Sequence, residues 1–173
     1  MDYFEFYNIP VQFYLDEQQL KKLFFTKSKS LHPDLHVQAD QATQERNLLL
    51  SSLNTEAYKV LSDFYSRMEY ILKMKGVLLE GHSELPKSFL MEMMELNEKI
   101  MDLQFDFSPE ILDQCRKELH DFETKALEEV HHLLENYKDE KVSKEDLEPV
   151  KIFYLKHKYF LRIQKSLSTF AAH

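Results

Sequence analysis

The chain has 173 residues, 43% hydrophobic and 30% charged, enough for one medium domain or two small ones with a packed core. Its net charge of −8 lacks the basic footprint of a nucleic-acid binder, and the single cysteine, Cys115, leaves no internal disulfide and no Cys-rich zinc site. With only Gly76 and Gly81 as glycines, Gly-rich phosphate loops are excluded, and the Leu/Lys/Glu-rich remainder favours helix over strand.

In chain order, residues 2–7 form a short expected helix, closed by the Asn8-Ile9-Pro10 break. Asp16 reads as the N-cap of a helix running to about Leu31. His32-Pro33-Asp34 follows as a turn, because proline fixes its own φ and pushes His32 out of the helical region. Asp34 is placed to accept from nearby backbone N–H groups or from a partner's arginine. A long helix spans about Asp40 to Leu61, and a shorter one, capped by Ser62 or Asp63, runs to Met74 and stops at Gly76. Gly76 to Pro86 holds both glycines and a proline and is the expected domain boundary, with 76–85 as the linker. Three helices are expected beyond it: about Pro86 to Leu103; Ser108 (N-cap) and Pro109 to about Tyr137; and about Ser143, with Asp146 as partner in an imperfect capping box, to about Phe170. The expected fold class is all-α, with one unit over 1–75 and a three-helix bundle over 86–173.

On a helical wheel, Leu20, Leu23, Phe24 and Leu31 point inward, while Lys21, Lys22, Phe25 and Lys29 share the opposite side. This basic, partly aromatic stripe leads to the Asp34 turn and suits an acidic protein partner, although lysines alone also describe a solvated helix face. Lys27 falls within the apolar stripe and must snorkel or tilt the helix.

The helix from Pro86 to Leu103 has more apolar surface than a bundle needs. Phe89, Met93, Leu96, Ile100 and Leu103 form a core stripe. Leu90, Met91, Met94 and Met101 form a second, flanked by Glu95, Glu98 and Asp102. A Met-rich strip beside carboxylates suits an adaptable protein-binding surface, and burial of both stripes is the plainer alternative.

The eight histidines show no set of three or four ligands at zinc-like spacing, so neither metal nor cofactor is expected. Cys115 lies mid-helix, where a small buried residue fits better than a nucleophile. No nucleophile–base pair or phosphate loop supports an enzyme. No run of about 18 apolar residues suggests a membrane span. The acidic, aromatic start Met1-Asp2-Tyr3-Phe4-Glu5 is unlike a signal or transit peptide, and a cytoplasmic location is expected.

These segments, in this order, resemble a known family. The first ~75 residues resemble a J-domain: short helix, basic helix, His32-Pro33-Asp34, then a long helix with Asn54, Ala57, Tyr58 and Leu61. Met1-Asp2-Tyr3-Phe4, Arg67-Met68-Glu69-Tyr70-Ile71-Leu72 and Ser88-Phe89-Leu90-Met91-Glu92-Met93-Met94-Glu95-Leu96 are similar to segments of the HscB-type co-chaperones of iron–sulfur cluster assembly. The resemblance implies an N-terminal J-domain followed by a C-terminal three-helix bundle. It implies docking of His32, Pro33 and Asp34, guided by Lys21, Lys22 and Lys29, on an HscA- or DnaK-type chaperone whose ATPase is stimulated. It further implies binding of the scaffold protein IscU through Leu90, Met91, Met94, Glu95, Glu98 and Asp102, with Tyr154 (or Phe153) contributing from the last helix. The chain departs from the family pattern at Leu35, where lysine is usual, at Phe64, where proline is usual, and at Lys27, where an apolar residue is usual. A J-protein with another client and a helical adaptor without a chaperone role are the competing readings, and oligomeric state is open.

Overall fold

A computed structural model describes residues 1–78 and 84–170. Among these the fold is all-α: α1 (Tyr3–Tyr7), α2 (Glu17–Ser30), α3 (Gln41–Ser62), α4 (Phe64–Met74), α5 (Lys87–Asp102), α6 (Pro109–Glu135) and α7 (Glu148–Ser168). Short 3-10 turns occupy Pro33–His36 and Glu145–Leu147. Two compact units result. The first comprises Met1–Met74 with Tyr137–Val142, the second Lys75–Asn136 with Ser143–His173. The expected linker 76–85 includes residues 79–83, which lie outside the described residues.

The helix starts follow from side chains that satisfy otherwise unpaired N–H groups. Asp2 and Glu5 form a reciprocal capping box on α1, and Asn8 closes that helix in the left-handed region at φ 54°. Asp16 accepts from the Gln19 N–H (3.0 Å), Asp40 from Thr43 (2.9 Å), Asp63 from Ser66 (2.7 Å) and Ser108 from Ile111 (3.3 Å). After α4 the chain turns at Gly76, whose φ of +65° a side chain would strain.

In the first unit α2 packs along α3, and α3 contacts α1 and α4. Phe4, Phe13, Leu20, Ala57, Leu61, Met68 and Ile71 are at most 2% exposed and make the core. Lys27 lies at the edge of this packing and snorkels, placing its Nζ 4.3 Å from the Phe6 ring centroid. Phe64, at the unusual position, stacks on Tyr14 at 5.4 Å, while Asp63 supplies the cap. Tyr137 packs edge-on against Phe13 at 4.8 Å, so residues 137–142 belong to this unit although α6 and α7 do not.

Two buried polar side chains join the elements. Asn54, 1% exposed, donates through Nδ2 to the Phe24 carbonyl (3.2 Å) and Ser28 Oγ (2.9 Å). Its Oδ1 and main-chain carbonyl share the Tyr7 hydroxyl proton at 2.8 and 3.0 Å. Arg67, 4% exposed, donates to the Phe13 carbonyl (2.8 Å) and to the Leu61 carbonyl. Desolvation lowers the Arg67 pKa, and the nearby Asp63 and Glu17 oppose that shift.

In the second unit α5, α6 and α7 pack pairwise as a three-helix bundle. Leu112, Cys115, Leu119, Ala126, Val130 and Leu134 recur at helical spacing and line the buried face of α6. Burial raises the Cys115 thiol pKa, as befits a packing residue. Two expected boundaries are corrected. The middle helix stops at Glu135 rather than Tyr137, with Asn136 as C-cap. The last helix begins at Glu148 rather than near Ser143. The Ser143–Asp146 box is real: the Ser143 N–H donates to Asp146 Oδ2 (2.9 Å) and the Asp146 N–H to Ser143 Oγ (3.2 Å). It holds the 3-10 turn, because Pro149 has no N–H and must sit in the first turn of the α-helix.

Replacing Asn54 with Ala leaves the Tyr7 hydroxyl without its buried acceptor on that side chain. Asn54→Ala should destabilise the first unit by about 2–3 kcal/mol, and Tyr7→Phe by about 1–2 kcal/mol. Native-state hydrogen exchange of α2 and α3 amides reads both, and unchanged protection in Asn54→Ala would show the network to be dispensable.

Candidate partner-binding surfaces

The first surface follows from α2. With Leu20 buried and Leu23, Phe24 and Leu31 half-buried, Lys21, Lys22, Phe25 and Lys29 are left exposed on the other side. Phe24 stacks on Tyr58 of α3 at 4.4 Å, so the apolar side of α2 lies on α3 and its lysines are on the side away from it. The helix ends at Ser30, and Pro33 occupies the first position of the 3-10 turn. His32 caps this turn: its Nδ1 accepts the Asp34 N–H at 3.3 Å. The capping role is thus played by the histidine ring, and the Asp34 carboxylate points outward with its side chain 86% exposed, 3.7 Å from His32 Nδ1. His36 Nε2 donates to the Ser30 carbonyl at 2.8 Å and ties the turn back to the end of α2. His32, Pro33 and Asp34 are therefore presented together on a hydrogen-bonded turn.

Sequence reasoning missed the apolar surroundings of this turn. Leu35, Val37, Leu48 and Leu49 are exposed, and a groove of about 280 Å³ is lined by Leu31, Pro33, His36, Gln44, Glu45, Asn47 and Leu48. The run Leu48-Leu49-Leu50 held the signal. Once Asn54, Ala57 and Leu61 define the buried side of α3, three successive leucines cannot all face it.

The second surface is on α5. Phe89, Met93, Leu96, Ile100 and Leu103 are all buried, so the core stripe lies inside the bundle. The second stripe is outside: Met91 is 64% exposed, Met94 and Met101 59%, and Leu90 is half-buried beside them. Glu95, Glu98 and Asp102 are exposed along the same helix. Lys99 is held away, with Nζ 2.7 Å and 2.9 Å from the Glu118 carboxylate oxygens on α6. That hydrogen bond raises the Lys99 pKa. Tyr154 does not share the exposed strip. It is 5% exposed and Phe153 3%, both packed in the bundle, with Lys158 Nζ 5.7 Å from the Tyr154 ring centroid. In this conformation neither aromatic offers a partner much surface.

Among the described residues, no helix is long and apolar enough to cross a membrane, and no group of three or more His, Cys, Asp or Glu could hold a metal ion.

The family described as "HSCB C-terminal oligomerisation domain" matches residues 85–168. A co-chaperone protein HscB homolog from Burkholderia multivorans is 30% identical over 140 residues, which is 80% of this chain and 80% of that protein. The chain belongs to the HscB family of co-chaperones. Another HscB homolog, from Colwellia psychrerythraea, is 38% identical over 106 residues, covering 60% of this chain and 61% of the relative. The human HscB crystal structure superposes with a TM-score of 0.74 at 25% identity, covering 98% of this chain and 81% of that one. HscB from Vibrio cholerae shares the fold, with a TM-score of 0.76 over 97% of this chain and 96% of that one. The two units thus correspond to the HscB arrangement of an N-terminal J-domain and a C-terminal helical domain.

Because the Asp34 side chain is exposed and caps nothing, Asp34→Asn should change stability by less than about 0.5 kcal/mol. Thermal unfolding followed by circular dichroism tests this, and a large loss would show that Asp34 also has a structural role.

Proposed function

We propose that this HscB-family chain joins a client to a chaperone and does no covalent chemistry itself. The reading rests on one observation: two exposed surfaces of opposite character occupy different units, a lysine face leading to His32-Pro33-Asp34 and an acid-bordered methionine strip on α5. We take residues 1–75 as the J-domain, 76–85 as its linker and 86–173 as the scaffold-binding domain. The presence of residues 137–142 in the first unit modifies the boundary of this division.

The J-domain docks on an HscA- or DnaK-type chaperone. Lys21, Lys22 and Lys29 guide an acidic chaperone surface towards the turn, raising the association rate in a salt-dependent way. The exposed Asp34 carboxylate accepts from a chaperone arginine or main-chain N–H. Binding stimulates ATP hydrolysis only if the turn favours the hydrolysis-competent state over the other, so the contact must differ between the two states.

The C-terminal domain binds the iron–sulfur scaffold IscU. Leu90, Met91 and Met94 supply adaptable apolar contact, and Glu95, Glu98 and Asp102 orient a partner bearing Lys or Arg. Tyr154 contributes only if the bundle opens to expose it. Holding both partners raises the effective concentration of scaffold at the chaperone.

Steady-state ATP hydrolysis by an HscA-type chaperone with IscU tests the proposal. The wild type should stimulate strongly and only fully with the scaffold present. Asp34→Asn should reduce stimulation to near the basal rate while scaffold affinity stays unchanged. Leu90→Ala/Met91→Ala/Met94→Ala should weaken scaffold binding by about a hundredfold and leave scaffold-independent stimulation intact. Stimulation indifferent to IscU would assign the protein to another client, and no stimulation would remove the chaperone role.

A further inference from the structure

Phe105 is 88% exposed, the most exposed large apolar side chain among the described residues. It lies just beyond α5, in a turn whose backbone is well held. The Phe105 and Asp106 N–H groups both donate to the Asp102 carbonyl, each at 3.0 Å, so the helical sense carries past the end of the helix. Leu103 turns inward and is buried, and Phe107 stacks on Phe170 at 6.2 Å. The turn therefore holds Leu103 and Phe107, two residues to either side, towards the bundle and presents Phe105 to solvent.

Its position along the chain is informative. Leu90, Met94, Met101 and Phe105 are separated by helical repeats, so Phe105 extends the line of the exposed methionine strip. Carboxylates follow the same line. Glu98, Asp102 and Asp106 are exposed and make no side-chain ion pair or hydrogen bond among the described residues, while Lys99 is committed to Glu118. An aromatic anchor beside unpaired acids fits a protein surface with an apolar recess bordered by Lys or Arg. A second copy of this chain fits poorly, because a two-fold pairing of the strip would set carboxylates against carboxylates.

We infer that the scaffold-binding surface continues past α5 onto Met101 and Phe105, with Phe105 as an anchor residue and Asp106 pairing with a basic residue of the scaffold. This rests on the proposed scaffold-binding role of the strip. Calorimetric titration of IscU into the full-length protein tests it, using wild type, Phe105→Ala and Met91→Ala/Met94→Ala. Phe105→Ala should weaken binding by about tenfold or more, and so exposed a side chain can be truncated without loss of core packing. Asp106→Asn should lower the affinity mildly and reduce its salt dependence. Weakening by Met91→Ala/Met94→Ala with wild-type affinity in Phe105→Ala would overturn the extension and leave the strip intact as the site. Wild-type affinity in both variants would remove the scaffold reading itself. Sedimentation of the same samples gives the last arm: a wild-type dimer that Phe105→Ala converts to monomer, with scaffold affinity unchanged, would assign Phe105 to self-association and overturn the inference.

Discussion

The first unit depends on the side chain of Asn54. Within one buried site its amide binds α2 through the Phe24 carbonyl and Ser28, and it accepts from Tyr7 of α1. Apolar packing between α2 and α3 is tolerant of small rotations, whereas a set of directional hydrogen bonds is not. Asn54 therefore fixes the rotation of α2, which in turn fixes where Lys21, Lys22 and Lys29 point and where the helix delivers the chain to Pro33. Burial, and secondarily the neighbouring Tyr58, raise the Tyr7 pKa, and its hydroxyl donates to Asn54. The presentation of His32-Pro33-Asp34 at the surface is set from inside.

The C-terminal unit solves a different problem. Its α5 must pack on two neighbours and still keep an apolar strip in water. The core stripe uses bulky residues that fill a fixed space, Phe89, Leu96 and Ile100 among them. The outer stripe uses methionine, whose flexible chain adapts to the shape that covers it. Exposed carboxylates, Glu95, Glu98 and Asp102, border this strip.

Much of this organisation was legible from local sequence because its causes are local. Asp16, Asp40, Asp63 and Ser108 mark helix starts through one side chain and one N–H three residues on. The two stripes of α5 were legible because a wheel needs only one helix. The start of α7 was misplaced because a Ser–Asp box caps a 3-10 turn as well as an α-helix, and Pro149 decided between them. The exposure of Tyr154 was not legible, since α7 packs on two helices and buries a broad arc that takes in both Phe153 and Tyr154. The apolar rim of the turn was missed because Leu48 and Leu49 stand out only after the inward side of α3 is known. The place of residues 137–142 left no local mark at all, because an aromatic contact between distant residues has no period.

That contact bears on how the protein is made. Phe13 is fully buried, and part of its cover is Tyr137. On a ribosome adding roughly 5–20 residues per second, Tyr137 follows Met74 by roughly 3–13 seconds of synthesis. The whole of α6 must be synthesised before Tyr137 can cover Phe13. The first unit is thus completed late in translation.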